Sequence, residues 1–100
     1  MNAHDICRTA ATLVGNDRGR AYGDKEVNFT KIAVLWNAYI QTRRDLDSPF
    51  NALDVGIMMA LLKIARTQSG LGDTDNWIDG AGYLACAGEI DTKDAVSFKE

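Results

Sequence analysis

One hundred residues, 46% hydrophobic and 25% charged, describe one small globular domain of ordinary composition, with neither repeats nor low-complexity segments. The net charge of −3 argues against a duplex-binding protein, which would carry a stripe of Lys and Arg; here the cations gather only at Arg18/Arg20 and Arg43/Arg44. The longest uncharged apolar run, residues 55–62, is too short to span a bilayer, and no cleavable leader pattern opens the chain, so a cytoplasmic protein is expected.

A first helix is predicted over residues 3–14. Ile6, Cys7, Ala10, Leu13 and Val14 recur at helical spacing, Asn2 and Asp5 form a start signal, and Gly15-Asn16 ends it. Residues 17–26, DRGRAYGDKE, make a polar connection dense in hydrogen-bond donors, the kind of segment where binding chemistry gathers. The second helix is predicted over residues 27–43, with Phe29, Ile32, Ala33, Trp36, Tyr39 and Ile40 on one core-facing stripe.

Ser48-Pro49 suits a turn, and the third helix is expected from Asn51 to about Gln68. Asn51 and Asp54 stand at capping-box spacing, and an acid in the first turn is favoured by the helix dipole. This helix is apolar almost all round, which places it at the centre of a bundle, at a subunit interface, or both. The fourth helix is predicted from Asp73–Asp75 to about Ile90. Gly80, Gly82 and Gly88 would each weaken it by about 1 kcal/mol, a cost that close backbone approach to a neighbour, in this chain or another, would offset. The expected fold is an all-α antiparallel bundle of about four helices over residues 1–90, oligomerising through the apolar third helix, with a polar tail over 91–100.

Charges set into helices this apolar are costly to bury unless paired or bound to a ligand. Lys63 and Arg66 share one helix face; Asn76, Asp79 and Tyr83 share another. In an antiparallel hairpin Asp79 meets Lys63 or Arg66, as an internal salt bridge or as part of a phosphate site. Arg18, Arg20, Tyr22, Asp24 and Asn28 add cations and an aromatic ring suited to a nucleotide; as plain structure they are a solvated loop with Tyr22 lying over the core.

Metal chemistry has less in its favour. Asp54, Asp79 and Glu89 are single acids on two helices and would have to hold Mg2+ together, and no ExxE pair occurs. Cys7 and Cys86 lack CxxC spacing and are expected as small buried apolar groups, and His4 stands alone. No Ser/His/Asp grouping, phosphate loop or dinucleotide fingerprint is present.

Three blocks in order, DRGRAYGDKEVNFTKIAVLWNAY, DVGIMMALLKIAR and DNWIDGAGYLACAGEI, resemble a family of small, functionally unassigned helical domains of tailed phages and prophages, over nearly all of residues 17–90. More distantly, the pattern looks like phage nucleotide-metabolism domains and the all-α nucleoside triphosphate pyrophosphatases, without the paired acidic motifs of the latter. The resemblance implies a phage accessory protein in the host bacterial cytoplasm. It would be a homo-oligomer that binds a nucleotide or cyclic nucleotide without catalysis or cofactor and sequesters a host defence signal. The alternatives are a magnesium-dependent pyrophosphatase acting on the nucleotide pool and a protein-binding module.

Overall fold

The computed structural model describes residues 1–15, 24–70 and 72–95, and these form four α-helices without a strand. They are α1 (Ala3–Leu13), α2 (Lys25–Thr42), α3 (Ala52–Arg66) and α4 (Thr74–Thr92), so the all-α expectation holds. Each helix begins on a side-chain cap that accepts an otherwise unpaired backbone N–H. Asn2 accepts from Asp5, Asp24 from Val27, Asn51 from Asp54 and Asp73 from Asp75. Such caps each contribute about 1 kcal/mol. At Asn2 and Asn51 the reciprocal bond closes a full capping box, with Asp in the place usually taken by Glu.

α3 is the centre of the arrangement. It packs along α4 on one side and along α2 on the other. The α3–α4 seam is made of small residues. A Cβ on Gly56 would lie 2.9 Å from the Cβ of Ala87, and Ala60 and Ala87 are both buried. The two helices run antiparallel through a turn in which Gly70 (φ 82°) and Gly72 (φ 71°) adopt left-handed backbone that other residues resist. The α2 side is polar as well as apolar: Trp36 Nε1 donates to the Met58 carbonyl at 2.7 Å, and Lys31 Nζ donates to the Gln68 carbonyl (3.2 Å) and Ser69 Oγ (3.3 Å). The N-terminal half of α2 therefore lies beside the end of α3.

Several expectations are corrected. The apolar stripe of α1 is not core: no residue of that helix is buried, and Ile6, Leu13 and Val14 are exposed. Cys7 and Cys86 are exposed rather than buried, Cys7 because α1 is uncovered and Cys86 because it lies about a quarter-turn away from the α3-facing line of α4. On α2, Ile32, Trp36 and Tyr39 are half-buried against α3, but Phe29, Ala33 and Ile40 are exposed. Of the α4 glycines only Gly80 approaches a neighbour within the chain, 3.5 Å from Lys63 Cβ; Gly82 and Gly88 face open space. α4 runs to Thr92, slightly past the expected end. No helix among the described residues is long and apolar enough to cross a membrane.

Candidate functional site

Two polar clusters sit at opposite ends of α3. At its C-terminal end, Lys63 Nζ pairs with Asp79 Oδ2 at 2.9 Å, one of the two bridges, to Lys63 or Arg66, that an antiparallel hairpin allows. The pair is uneven: the Lys63 side chain is 15% exposed and that of Asp79 46%. Around it, Asn76 is buried in the first turn of α4, its N–H bonded to the Asp73 carbonyl at 3.3 Å. Tyr83 is half-buried on the same α3-facing line, and Arg66 is half-buried about one turn beyond Lys63. The structure thus brings Lys63, Arg66, Asn76, Asp79 and Tyr83 to one helix–helix junction.

The remaining predicted ligand residues divide. Asp24 caps α2, with its Oδ1 3.0 Å from the Val27 nitrogen, and Asn28 is half-buried one turn later. Arg18, Arg20 and Tyr22 lie outside the described residues.

At the other end of α3, sequence reasoning found Asp54 but not its partners. Arg43 donates to Asp54 through Nε (2.9 Å) and Nη2 (2.8 Å), Tyr39 Oη donates at 2.5 Å, and the Asn51 N–H at 2.8 Å. The side chains of Arg43 and Asp54 are 6% and 5% exposed. Arg43 also donates to the Ser48 and Pro49 carbonyls, and its guanidinium lies 4.8 Å from the Phe50 ring centre. The Arg43 bonds, then those from Tyr39 and the Asn51 backbone, hold the Asp54 carboxyl well below the usual carboxylate range against the opposing effect of burial. Burial, followed by the bond to Asp54, raises the Tyr39 phenol. The i, i+4 spacing of Tyr39 and Arg43 was the available signal. Every strong donor here already has an acceptor within the chain, so this cluster builds the α2–α3 corner. A weaker tie, Arg44 to Asp91 at 2.6 Å, links the same corner to the end of α4.

The acids considered for Mg2+ do not converge. Asp54 faces Arg43 on the α2 side, Asp79 faces Lys63, and Glu89 is exposed on α4. Among the described residues no group of three or more His, Cys, Asp or Glu could hold a metal ion.

A helical layer with a mixed-charge junction at one end and a sealed corner at the other is the fold context in which the relatives can be placed. The chain belongs to the family described as a domain of unknown function (DUF6378), whose model matches residues 5–91. It is similar to the Gene 55 protein of Mycobacterium phage L5, 40% identical over 78 residues, covering 78% of this chain and 47% of that protein. It is also similar to the Gene 55 protein of Mycobacterium phage D29, 32% identical over 88 residues, covering 88% of this chain and 54% of that protein. The chain thus spans about half the length of the curated relatives it matches. No solved structure matches. These findings bear out the resemblance to a small phage domain family.

Proposed function

We propose that this phage domain holds a phosphorylated, nucleotide-type ligand without breaking it down, at the junction where α3 ends and α4 begins. The Lys63–Asp79 bridge carries the reading. Its cation is fixed by burial, while its acid stands half in solvent and gains little from the pairing. An incoming phosphate, with more charge and more acceptor oxygens than a carboxylate, displaces Asp79 and takes over Lys63, with Arg66 as a two-pronged second donor. The Lys31 bonds to Gln68 and Ser69 bring the start of α2 to the same end. From Lys31 back to the Asp24 cap is about 10 Å of helix, so the described start of α2 lies towards this junction.

The dispersal of the acids among the described residues supports binding without cleavage: Asp54, one of the three considered for magnesium, is bound to Arg43 at the far end of α3. A protein that holds a nucleotide intact suits sequestration of a host signal better than turnover of the nucleotide pool.

Isothermal titration against mono-, tri- and cyclic nucleotides tests the proposal. At least one is expected to bind in the micromolar range. Lys63→Gln should weaken it by about tenfold or more, the loss of one charge-assisted contact. Silence across the panel at 100 μM (~0.1 mM, a binding energy of about −5.5 kcal/mol), or unchanged binding by Lys63→Gln, overturns it. Magnesium-dependent release of pyrophosphate would favour the pyrophosphatase reading instead.

A further inference from the structure

We infer that the side-chain amide of Asn76 is a ligand contact, holding the neutral, hydrogen-bonding part of a phosphate ester whose phosphate lies one helical turn away at Lys63. This rests on the nucleotide reading of the α3–α4 junction and narrows it, because inorganic phosphate and polyphosphate have no such part.

Asn76, Gly80, Tyr83 and Ala87 are the residues of α4 that are not exposed. Spacings of four, three and four residues put them on one line of the helix. That line faces α3, because a Cβ on Gly56 would lie 2.9 Å from Ala87 Cβ and one on Gly80 would lie 3.5 Å from Lys63 Cβ. The step from Gly56 to Lys63 equals the step from Ala87 to Gly80, as antiparallel packing requires. One further turn in each helix brings Asn76 level with Thr67, the residue that closes α3. Asn76 thus faces the last turn of α3, about 4.5 Å along α4 from Asp79.

Among the described residues nothing bonds to the Asn76 amide. The residue is 4% exposed, and its hydrogen bond to the Asp73 carbonyl is made by the backbone N–H. The polar groups around it are engaged elsewhere. Thr67 Oγ1 donates to the Ile64 carbonyl at 2.6 Å and accepts from Gln68 Nε2 at 3.2 Å. Lys31 is taken up by Gln68 and Ser69, and Asp79 by Lys63. No side-chain nitrogen or oxygen among the described residues is both shut off from solvent and unbonded. The sliver of exposure left to Asn76 therefore falls on the amide oxygen and nitrogen themselves. The amide stands at the floor of a narrow opening in the seam, with its polar atoms towards the outside.

A leucine would fill such a seam position without cost, whereas an amide there gives up its bonds to water and gains none from the protein. A partner from outside the chain restores them. The amide offers a carbonyl acceptor beside two N–H donors, which complements the edge of a nucleobase or a pair of sugar hydroxyls. A phosphate that takes Lys63 from Asp79 leaves the rest of its ester one turn along α4, over Asn76.

Titration calorimetry of the full chain with mono-, tri- and cyclic nucleotides, ribose 5-phosphate and inorganic phosphate tests this. At least one nucleotide is expected to bind about tenfold or more tighter than inorganic phosphate. Asn76→Leu should remove that advantage, weakening the nucleotide by about tenfold or more and inorganic phosphate by no more than about twofold, whereas Lys63→Gln weakens both. Ribose 5-phosphate that matches the nucleotide assigns the amide to the sugar; ribose 5-phosphate that matches inorganic phosphate assigns it to the base. Asn76→Ala replaces Asn76→Leu if the latter loses its helical circular dichroism, and failure of both to fold makes the amide part of the fold and overturns the inference. Equal affinity for nucleotide and inorganic phosphate, equal weakening of the two by Asn76→Leu, or a nucleotide that depends on Lys63 and ignores Asn76→Leu overturns it too, while the proposed function stands. Silence of every nucleotide removes both.

Discussion

Four donors from three different places in the chain converge on the Asp54 carboxylate. Removing its charge leaves the Arg43 guanidinium buried without a counter-ion, which is far costlier than loss of a surface pair. Asp54→Asn is therefore expected to lower the melting temperature by more than ~10 °C, measured by circular dichroism. The pH dependence has a definite sign. The carboxyl is held below its unfolded value, so its contribution is complete above the unfolded pKa of about 4 and is lost as pH falls through the folded value. The stability gap between wild type and Asp54→Asn should thus be widest near neutrality and shrink steadily below pH ~4. Arg43→Lys keeps the charge but loses the fork that also satisfies the Ser48 and Pro49 carbonyls, and should be destabilised nearly as much.

The helices themselves respond differently to added methyl groups. Gly56→Ala forces a Cβ to within 2.9 Å of Ala87 at the α3–α4 seam. Overpacking of about 1–3 kcal/mol there outweighs the ~1 kcal/mol that alanine adds to helix propensity, so urea denaturation should show a net loss. Gly82→Ala meets nothing within 4 Å and should gain up to ~1 kcal/mol. Helix positions were legible because caps and periodicity are local: Asn51 with Asp54 marked the start of α3, and spacing offered Asp79 a partner in Lys63 or Arg66, of which the structure takes Lys63. The Arg43–Asp54 pair was not legible, because the intervening turn is shaped by Arg43 itself reaching the Ser48 and Pro49 carbonyls. Periodicity also overestimated the core. It reports the spacing of apolar residues and not their contacts, and so it marked Phe29, Ile40 and the α1 stripe as inner although they are exposed.

For the molecule as a whole, the absence of any large fully buried side chain among the described residues is the central energetic fact. The buried apolar side chains are three alanines, so the hydrophobic stabilisation within one copy comes mainly from half-buried groups of the seams such as Ile32, Trp36, Met58 and Leu61. Association of copies through the exposed apolar side chains would make stability depend on protein concentration, the melting temperature rising by ~2–4 °C per tenfold increase. Differential scanning calorimetry over two decades of concentration checks this. A midpoint independent of concentration would mean that one copy is stable alone.

Trp36 and Trp77, the two tryptophans of the chain, occupy contrasting surroundings. The indole of Trp36 is tethered to a helix carbonyl in the α2–α3 seam, while that of Trp77 stands in water on the outer side of α4. Their fluorescence therefore separates without any label: acrylamide should extinguish the red-shifted emission of Trp77 first and spare the bluer emission of Trp36. Shielding of the second fluorophore would then follow the meeting of two chains, and dequenching of the first would follow the departure of α2, so one spectrum distinguishes assembly from unfolding.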